Sequence, residues 1–337
     1  MISSALINPE TLAIIFAGLM ALSIIVYAVL DGYDLGVGIL LPLKNDQHGD
    51  QMIASIGPFW DANETWLVLA VGLMLIAFPN AYNVVLKALY LPATIMLIGL
   101  ILRGVAFDFR VKVAAHNKHR WNQIFKLGSL IASTSQGYML GMYIMGFSDG
   151  LSAYLFAGLS AIGVTTAYAL IGSAWLIMKT SDDLQLQAIR WARMAGKASF
   201  IGILAVCIVN PLINPFVLER WTNLPFAYFI GTIPLLSFAL LYLGHQVLKR
   251  LPLSDDGACW LPFLICVIVF ILCFSGLALS FYPYVIPGEL TIWQAASAPG
   301  SLRFILYGAL VVIPCILLYT VFSYRVFWGK VQTLRYY

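Results

Sequence analysis

Apolar runs long enough to cross a membrane alternate with short polar segments along almost the whole chain. A hydrocarbon core of about 30 Å takes about 20 apolar residues as helix. Nine stretches qualify, at approximately 11–42, 53–78, 83–108, 122–147, 152–178, 198–218, 225–247, 259–282 and 302–328. The sixth contains Pro211 and Pro215. The period-two alternation of an outer-membrane barrel is absent. The loops are short, so the pattern predicts an all-α polytopic membrane protein with nine crossings and no attached soluble domain.

Composition narrows the class. Of 337 residues, 61% are hydrophobic and 10% charged, and mean hydropathy is +0.89. A typical soluble domain is about 25% charged. These values exclude a soluble enzyme, a disordered chain and a collagen-like or disulfide-stapled domain. The net charge of +4 is too small for a nucleic-acid surface, and five Cys in so long a chain give no disulfide framework.

Basic residues orient the helices. Lys44, Arg110, Lys112, Lys118, Arg120, Lys126, Lys179, Arg190, Arg193, Lys197, Lys249, Arg250, Arg325, Lys330 and Arg335 fall in odd-numbered loops or the C-terminal tail, 15 of 19 in all. The other side holds Lys87, Arg220 and Arg303, and Arg103 lies within a span. The positive-inside rule then places the N-terminus outside and the C-terminus in the cytoplasm. The first run is too long for a signal-peptide core and no Lys or Arg precedes it, so no cleavable signal is expected. Ser181 to Lys197 reads as a helical cytoplasmic extension of the sixth span, with a membrane-surface helix as the alternative. Ser181 stands at its cap and Asp182 and Asp183 in its first turn.

Charges at membrane depth are costly, on the order of 2.5–3.5 kcal/mol each. This chain places Asp31 and Asp34 in the first span, Asp61 and Glu64 in the second, and Arg103 and Asp108 in the third. Each acid pair is spaced i, i+3 and shares a helix face. With the orientation above, all six residues fall in the cytoplasmic half. One reading is a buried ion cluster that fixes helix packing, with Asp108 snorkelling to the interface. The other starts from arithmetic, because one Arg cannot neutralise four buried acids. Desolvation and like-charge repulsion then favour proton binding, which suits a proton-delivery layer open to the cytoplasm. Gly32, Gly36 and Gly38 in DGYDLGVG permit close helix approach. Trp60 and Trp66 bracket the second acid pair and fit either packing or an indole hydrogen bond.

Other chemistry is missing. His48, His116 and His119 fall in loops and His245 at a span end, so bis-His haem ligation within the membrane is not expected. Cys259, Cys266 and Cys273 share one face as small apolar residues. No metal site is predicted. Asn210-Pro211 and Asn214-Pro215 fit a proline kink, with a broken, transporter-like helix as the alternative.

The stretches VLDGYDLGVGILLP, SIGPFWDANETWLVLAVGLMLIAFP and LYLPATIMLIGLILRGVAFDFR resemble subunit II of bacterial cytochrome bd-type quinol oxidases. DANETW and the short chain look most like the cyanide-insensitive branch. The resemblance implies two four-helix bundles plus one extra helix, dividing the chain at 1–151, 152–283 and 284–337. It implies the bacterial inner membrane, a partner subunit I carrying b and d haems and the quinol-oxidising loop, and no haem in this chain. A small accessory subunit and a structural quinone are further implied possibilities. Its proton path matches Asp31 and Asp61, with Glu64 and Arg103 in the same motifs. Asp34, Asp108 and Trp60 complete the expected pathway set. No residue of this chain is expected to be catalytic. The alternative is a proton-coupled secondary transporter using the same acids. A third reading is a scaffold subunit.

Overall fold

Asn8 and Pro9 start the first helix: the Asn8 side chain accepts from the Glu10 N–H at 3.3 Å, and Pro9 occupies the first turn, where its missing N–H costs nothing. The computed structural model describes residues 8–43, 46–113, 117–224, 226–253 and 256–331. Lys44, His116 and Arg335, which enter the sequence reading, lie outside them. The long helices are α1 Pro9–Leu40, α3 Trp60–Ala77, α4 Pro79–Lys112, α5 Lys118–Ile144, α6 Leu151–Lys179, α7 Asp182–Ile213, α9 Phe226–Arg250, α10 Leu261–Phe281 and α12 Pro299–Val326. Shorter helices are α2 Asp46–Ile56, α8 Pro215–Thr222 and α11 Ile292–Ala295. Among the described residues, eight helices are long and apolar enough to cross a membrane. Helix α5 has the length, but its many polar residues keep it out of that set.

The apolar and polar sides follow lipid exposure. Val68, Leu97, Ile101, Leu235, Phe304 and Val311 project outward, while Asp31, Asp34, Asn63 and Arg103 are buried. That inversion of the soluble pattern belongs to a multi-pass membrane protein. Among the described residues, the one departure from all-α is an antiparallel hairpin, β1 Tyr284–Ile286 and β2 Leu290–Thr291, leading into α11. Thr291 and Gln294 form a reciprocal capping box there.

Two helix boundaries and one cap differ from expectation, while the helical extension after Ser181 does not. The run at 53–78 is not one helix. Gly57-Pro58 breaks it, so α2 ends at Ile56, α3 starts at Trp60, and Asp61 lies in the first turn of α3 rather than several turns in. Asp50 of α2 ties that helix to Arg110 at 2.8 Å and to Lys118 at 3.1 Å. The polar segment after Ser181 is continuous with the sixth span, giving α7 its 32 residues. Ser181 sits at the cap position, but its hydroxyl donates to Asp182 Oδ2 at 2.8 Å and caps no backbone amide. The second Asn-Pro pair breaks the helix: α7 ends at Ile213 and α8 starts at Pro215. Asn214 bridges the break, donating to Ile144 O at 3.1 Å and to Asn210 Oδ1 at 2.8 Å.

Helix α1 packs against α3, α5 and α6, α4 against α5, and α9 against α10. The α1–α6 crossing is set by Gly36 and Gly172. A Cβ on Gly36 would sit 2.7 Å from the Tyr168 carbonyl carbon, and one on Gly172 would sit 2.5 Å from that of Gly36, so no larger residue fits either position.

One end of the molecule is basic and well tied. Lys126 donates to Leu41 O at 3.2 Å, Lys179 to Phe327 O at 2.6 Å, and Arg193 to Leu248 O at 2.5 Å. Lys330 reaches Thr180 O at 2.6 Å and pairs with Asp256 Oδ2 at 2.6 Å, while Gln185 Nε2 donates to Asp256 Oδ1 at 2.7 Å. Partial burial alone would push the Asp256 carboxyl up. Hydrogen bonds from Lys330 and Gln185, with the Lys330 charge, hold it below the ordinary carboxylate value. A depressed carboxyl contributes above its unfolded value, about 3.9, and loses that contribution as pH falls through the folded value. The protection factors of the amides of residues 327–331, with the intrinsic pH dependence of exchange divided out, are therefore expected to be steady from pH 7 to 5 and to fall below about pH 4, the fall being absent in Asp256→Asn.

Candidate functional site

The residues DGYDLGVG are buried without a gap from Asp31 to Gly38, because Gly32, Gly36 and Gly38 let α1 press into α5 and α6. That packing carries Asp31 and Asp34 inward along with the glycines. On α4, Gly99 meets Gly128 of α5 closely; a Cβ on Gly128 would stand 2.8 Å from the Arg103 amide nitrogen. Helix α4 is thereby seated so that the Arg103 side chain is only 1% exposed. Arg103 Nη2 donates to Asp31 Oδ1 at 2.7 Å and also to Glu64 Oε1. Asp31 is fully buried, whereas the Glu64 side chain is 28% exposed. Glu64 thus links the buried guanidinium to the protein surface. The Trp60 ring lies 6.0 Å from the Arg103 guanidinium carbon and 4.8 Å from the Phe107 ring, walling that side.

Asp34 takes a different partner from Asp31. Asn63 Nδ2 donates to Asp34 Oδ2 at 2.7 Å and stands 3.0 Å from Tyr33 Oη. Tyr33 Oη and Tyr324 Oη are 2.5 Å apart, and Tyr324 Oη lies 3.4 Å from Asn63 Oδ1. Tyr33 stacks on Trp175 at 4.1 Å, and Phe59 stacks on Tyr324 at 4.5 Å. Beneath them the Lys179 ammonium sits 5.1 Å from the Trp175 ring centre. Asp31 Oδ2, Asp34 Oδ1, and Arg103 Nε and Nη1 are buried without a protein partner. Buried polar atoms of this kind are normally satisfied by water. Farther along α1, Tyr27 begins a second buried polar line. Gln136 Nε2 donates to Tyr27 Oη, and Tyr168 Oη donates to Gln136 Oε1, each at 2.7 Å.

Of the six charged residues predicted to share a layer, four converge: Asp31, Asp34, Glu64 and Arg103. Asp61 and Asp108 lie on the outer surface of α3 and α4. Trp60 joins the cluster through Arg103, and Trp66 is buried in the α3 packing. Asn63, Tyr33 and Tyr324 had not been singled out. Tyr33 and Asn63 stand inside the DGYD and DANETW motifs, so motif membership was a usable signal for both. Tyr324, 291 residues from Tyr33, gave none. Among the described residues, no group of three His, Cys, Asp or Glu could hold a metal. His119 is tied to Leu43 O and Gln123, and His245 lines a cleft at the basic end. The described His residues, His48, His119 and His245, fall on α2, α5 and α9, and no two of them are shown in contact.

The fold and cluster define a polytopic membrane protein with an ion network buried among three helices. Residues 12–327 match the family model described as cytochrome bd terminal oxidase subunit II, and the chain belongs to that family. It is 27% identical to the cytochrome bd-I ubiquinol oxidase subunit 2 of Escherichia coli K12, over 97% of both chains. It is 29% identical to the cytochrome bd ubiquinol oxidase subunit 2 of Bacillus subtilis 168, covering 93% of this chain and 95% of that one. In fold it resembles a chain of the bd oxidase from Geobacillus thermodenitrificans, with a TM-score of 0.74 and 19% identity over 93% of this chain and 98% of that chain.

Proposed function

We propose that this chain is the subunit II partner in a quinol-oxidising, oxygen-reducing complex and that its buried cluster carries cytoplasmic protons toward the oxygen-reducing haem of subunit I. The observation that carries the proposal is the cluster's imbalance: Asp31, Asp34 and Glu64 face one guanidinium, and two carboxylate oxygens lack protein partners. A desolvated site with surplus negative charge relieves it by taking up protons. Asp61 and Asp108 stand at the outer mouth. Glu64, half in and half out, accepts from that side. Arg103 holds Asp31 and Glu64 through one guanidinium nitrogen, and ordered water joins the groups. Asn63 and Tyr33 hold the Asp34 branch.

The relatives' names support ubiquinol as the reductant, and the resemblance implies that subunit I carries the b and d haems. DANETW and the short chain favour the cyanide-insensitive branch. Subunit I is the obligatory partner, with a small accessory subunit possible in the assembly. The polar α5, packed between α4 and α6, is read as the fourth of nine crossings. The basic end then faces the cytoplasm with the N-terminus outside. Helices α1, α3, α4 and α5 are read as the first bundle (1–151), α6, α7, α9 and α10 as the second (152–283), and α12 as the ninth crossing (284–337), which meets α1 through Tyr324 and Tyr33. The family leaves the transporter alternative without an observation in its favour.

Affinity purification from native membranes tests the assignment. A haem-bearing partner, a reduced-minus-oxidised spectrum and quinol-driven oxygen uptake are expected. A pure, colourless chain in mild detergent would contradict it.

A further inference from the structure

On the side of the molecule away from the carboxylate cluster, α6, α7, α9 and α10 enclose a cleft of about 410 Å³. Its floor is apolar, made by the buried Leu170, Ala174, Leu241 and Ile265. Glycines line it where larger side chains would enter it: a Cβ added at Gly196 would already lie 3.7 Å from Leu170 Cδ1, and one at Gly244 3.4 Å from Ile265 Cγ2. Its size suits a ligand rather than a packing defect.

The rim has the opposite character. Lys197 and His245 line it, and the charged groups acting on His245 are Lys249, Lys197 and Arg193, all cationic. Arg193 spends Nη2 on Leu248 O, and its Nε is buried without a protein partner. The ion pairs of the basic end go to Asp50 and Asp256, so no carboxylate pairs with Lys197 among the described residues. An apolar cleft with an uncompensated cationic rim, at the basic end of a membrane bundle, matches the two halves of one molecule. Basic pockets between membrane helices on this side recruit anionic headgroups.

We propose that this cleft binds one anionic phospholipid, with an acyl chain between α6, α7, α9 and α10 and the phosphate at Lys197 and His245. A zwitterionic lipid or a neutral isoprenoid would fill the floor equally well but leave the rim charges unanswered. The site is separate from the proton path and does not depend on it.

The test uses the intact oxidase complex in nanodiscs of phosphatidylcholine with or without phosphatidylglycerol, read by native mass spectrometry after detergent release. Phosphatidylglycerol should be retained about tenfold over phosphatidylcholine. The double variant Lys197→Gln/His245→Gln should lose that preference. Gly196→Leu, which fills the floor and keeps the charges, should lose retention of both lipids. The haem spectrum and oxygen uptake serve as folding controls, and both should stay at wild-type values in the rim variant. Equal retention of the two lipids, or a preference unchanged in the rim variant, would overturn the proposal. So would displacement of phosphatidylglycerol by inorganic phosphate alone, which would mean the chain end of the lipid is not held.

Discussion

Arg103→Leu is expected to abolish recovery of the assembled complex. The guanidinium is 1% exposed and, among the described residues, is the only cation in contact with Asp31 and Glu64. Without it a fully buried carboxylate faces hydrocarbon with no counter-charge. Removing one partner of a buried pair costs about 3–5 kcal/mol, a large share of a typical folding stability of about 5–15 kcal/mol. The Gly99–Gly128 contact that seats α4 also loses its purpose, since it exists to bring the Arg103 backbone against α5. Arg103→Lys should recover part of the assembly, because the charge returns. It should not recover all of it, since the shorter Lys side chain ends before the Nη2 position that both carboxylates share. Haem-containing complex per unit membrane, from the visible spectrum, measures both variants.

The second large effect is kinetic. Asp31→Asn should leave the complex assembled, because Arg103 still pairs with Glu64 and the amide fills the same volume. Turnover should nevertheless fall at least tenfold, on the order of what loss of a positioned proton carrier costs. The amide keeps a hydrogen-bonding oxygen but cannot take and release a proton. Asp34→Asn should do less. Asp34 sits on a separate branch, bonded to Asn63, and is not in contact with the guanidinium. This ordering separates relay from packing. A packing role would make the two aspartates comparable, since both are fully buried, and would lower the amount of complex rather than its rate.

Helix positions were legible wherever hydrophobic length alone decides them. The exceptions were decided by backbone chemistry or by neighbours. Gly57-Pro58 ends a helix inside a run that is apolar on both sides, and hydropathy cannot register that. Asn214-Pro215 could bend or break a helix, and it breaks here with the Asn214 side chain tied to Ile144 O of α5 and to the Asn210 side chain. Helix α5 carries Ser, Thr and Gln because it lies between α4 and α6, with Gln136 bonded inside. The acids in α1 and the arginine in α4 were legible because charge at membrane depth is rare. Their division into buried and exposed was not. Asp61 and Glu64 share a nominal face, yet only Glu64 turns toward Arg103, since Asp61 occupies the first turn after the break at Pro58. Tyr324 was invisible because only the tertiary fold brings α12 over Tyr33.

Oxygen uptake driven by excess quinol, per haem, in purified and spectrally intact Asp31→Asn complex tests the central claim most directly. Proton carriage by the buried cluster predicts a rate at least tenfold below wild type with an unchanged haem spectrum. A wild-type rate in that complex would contradict it and leave the cluster as a packing device.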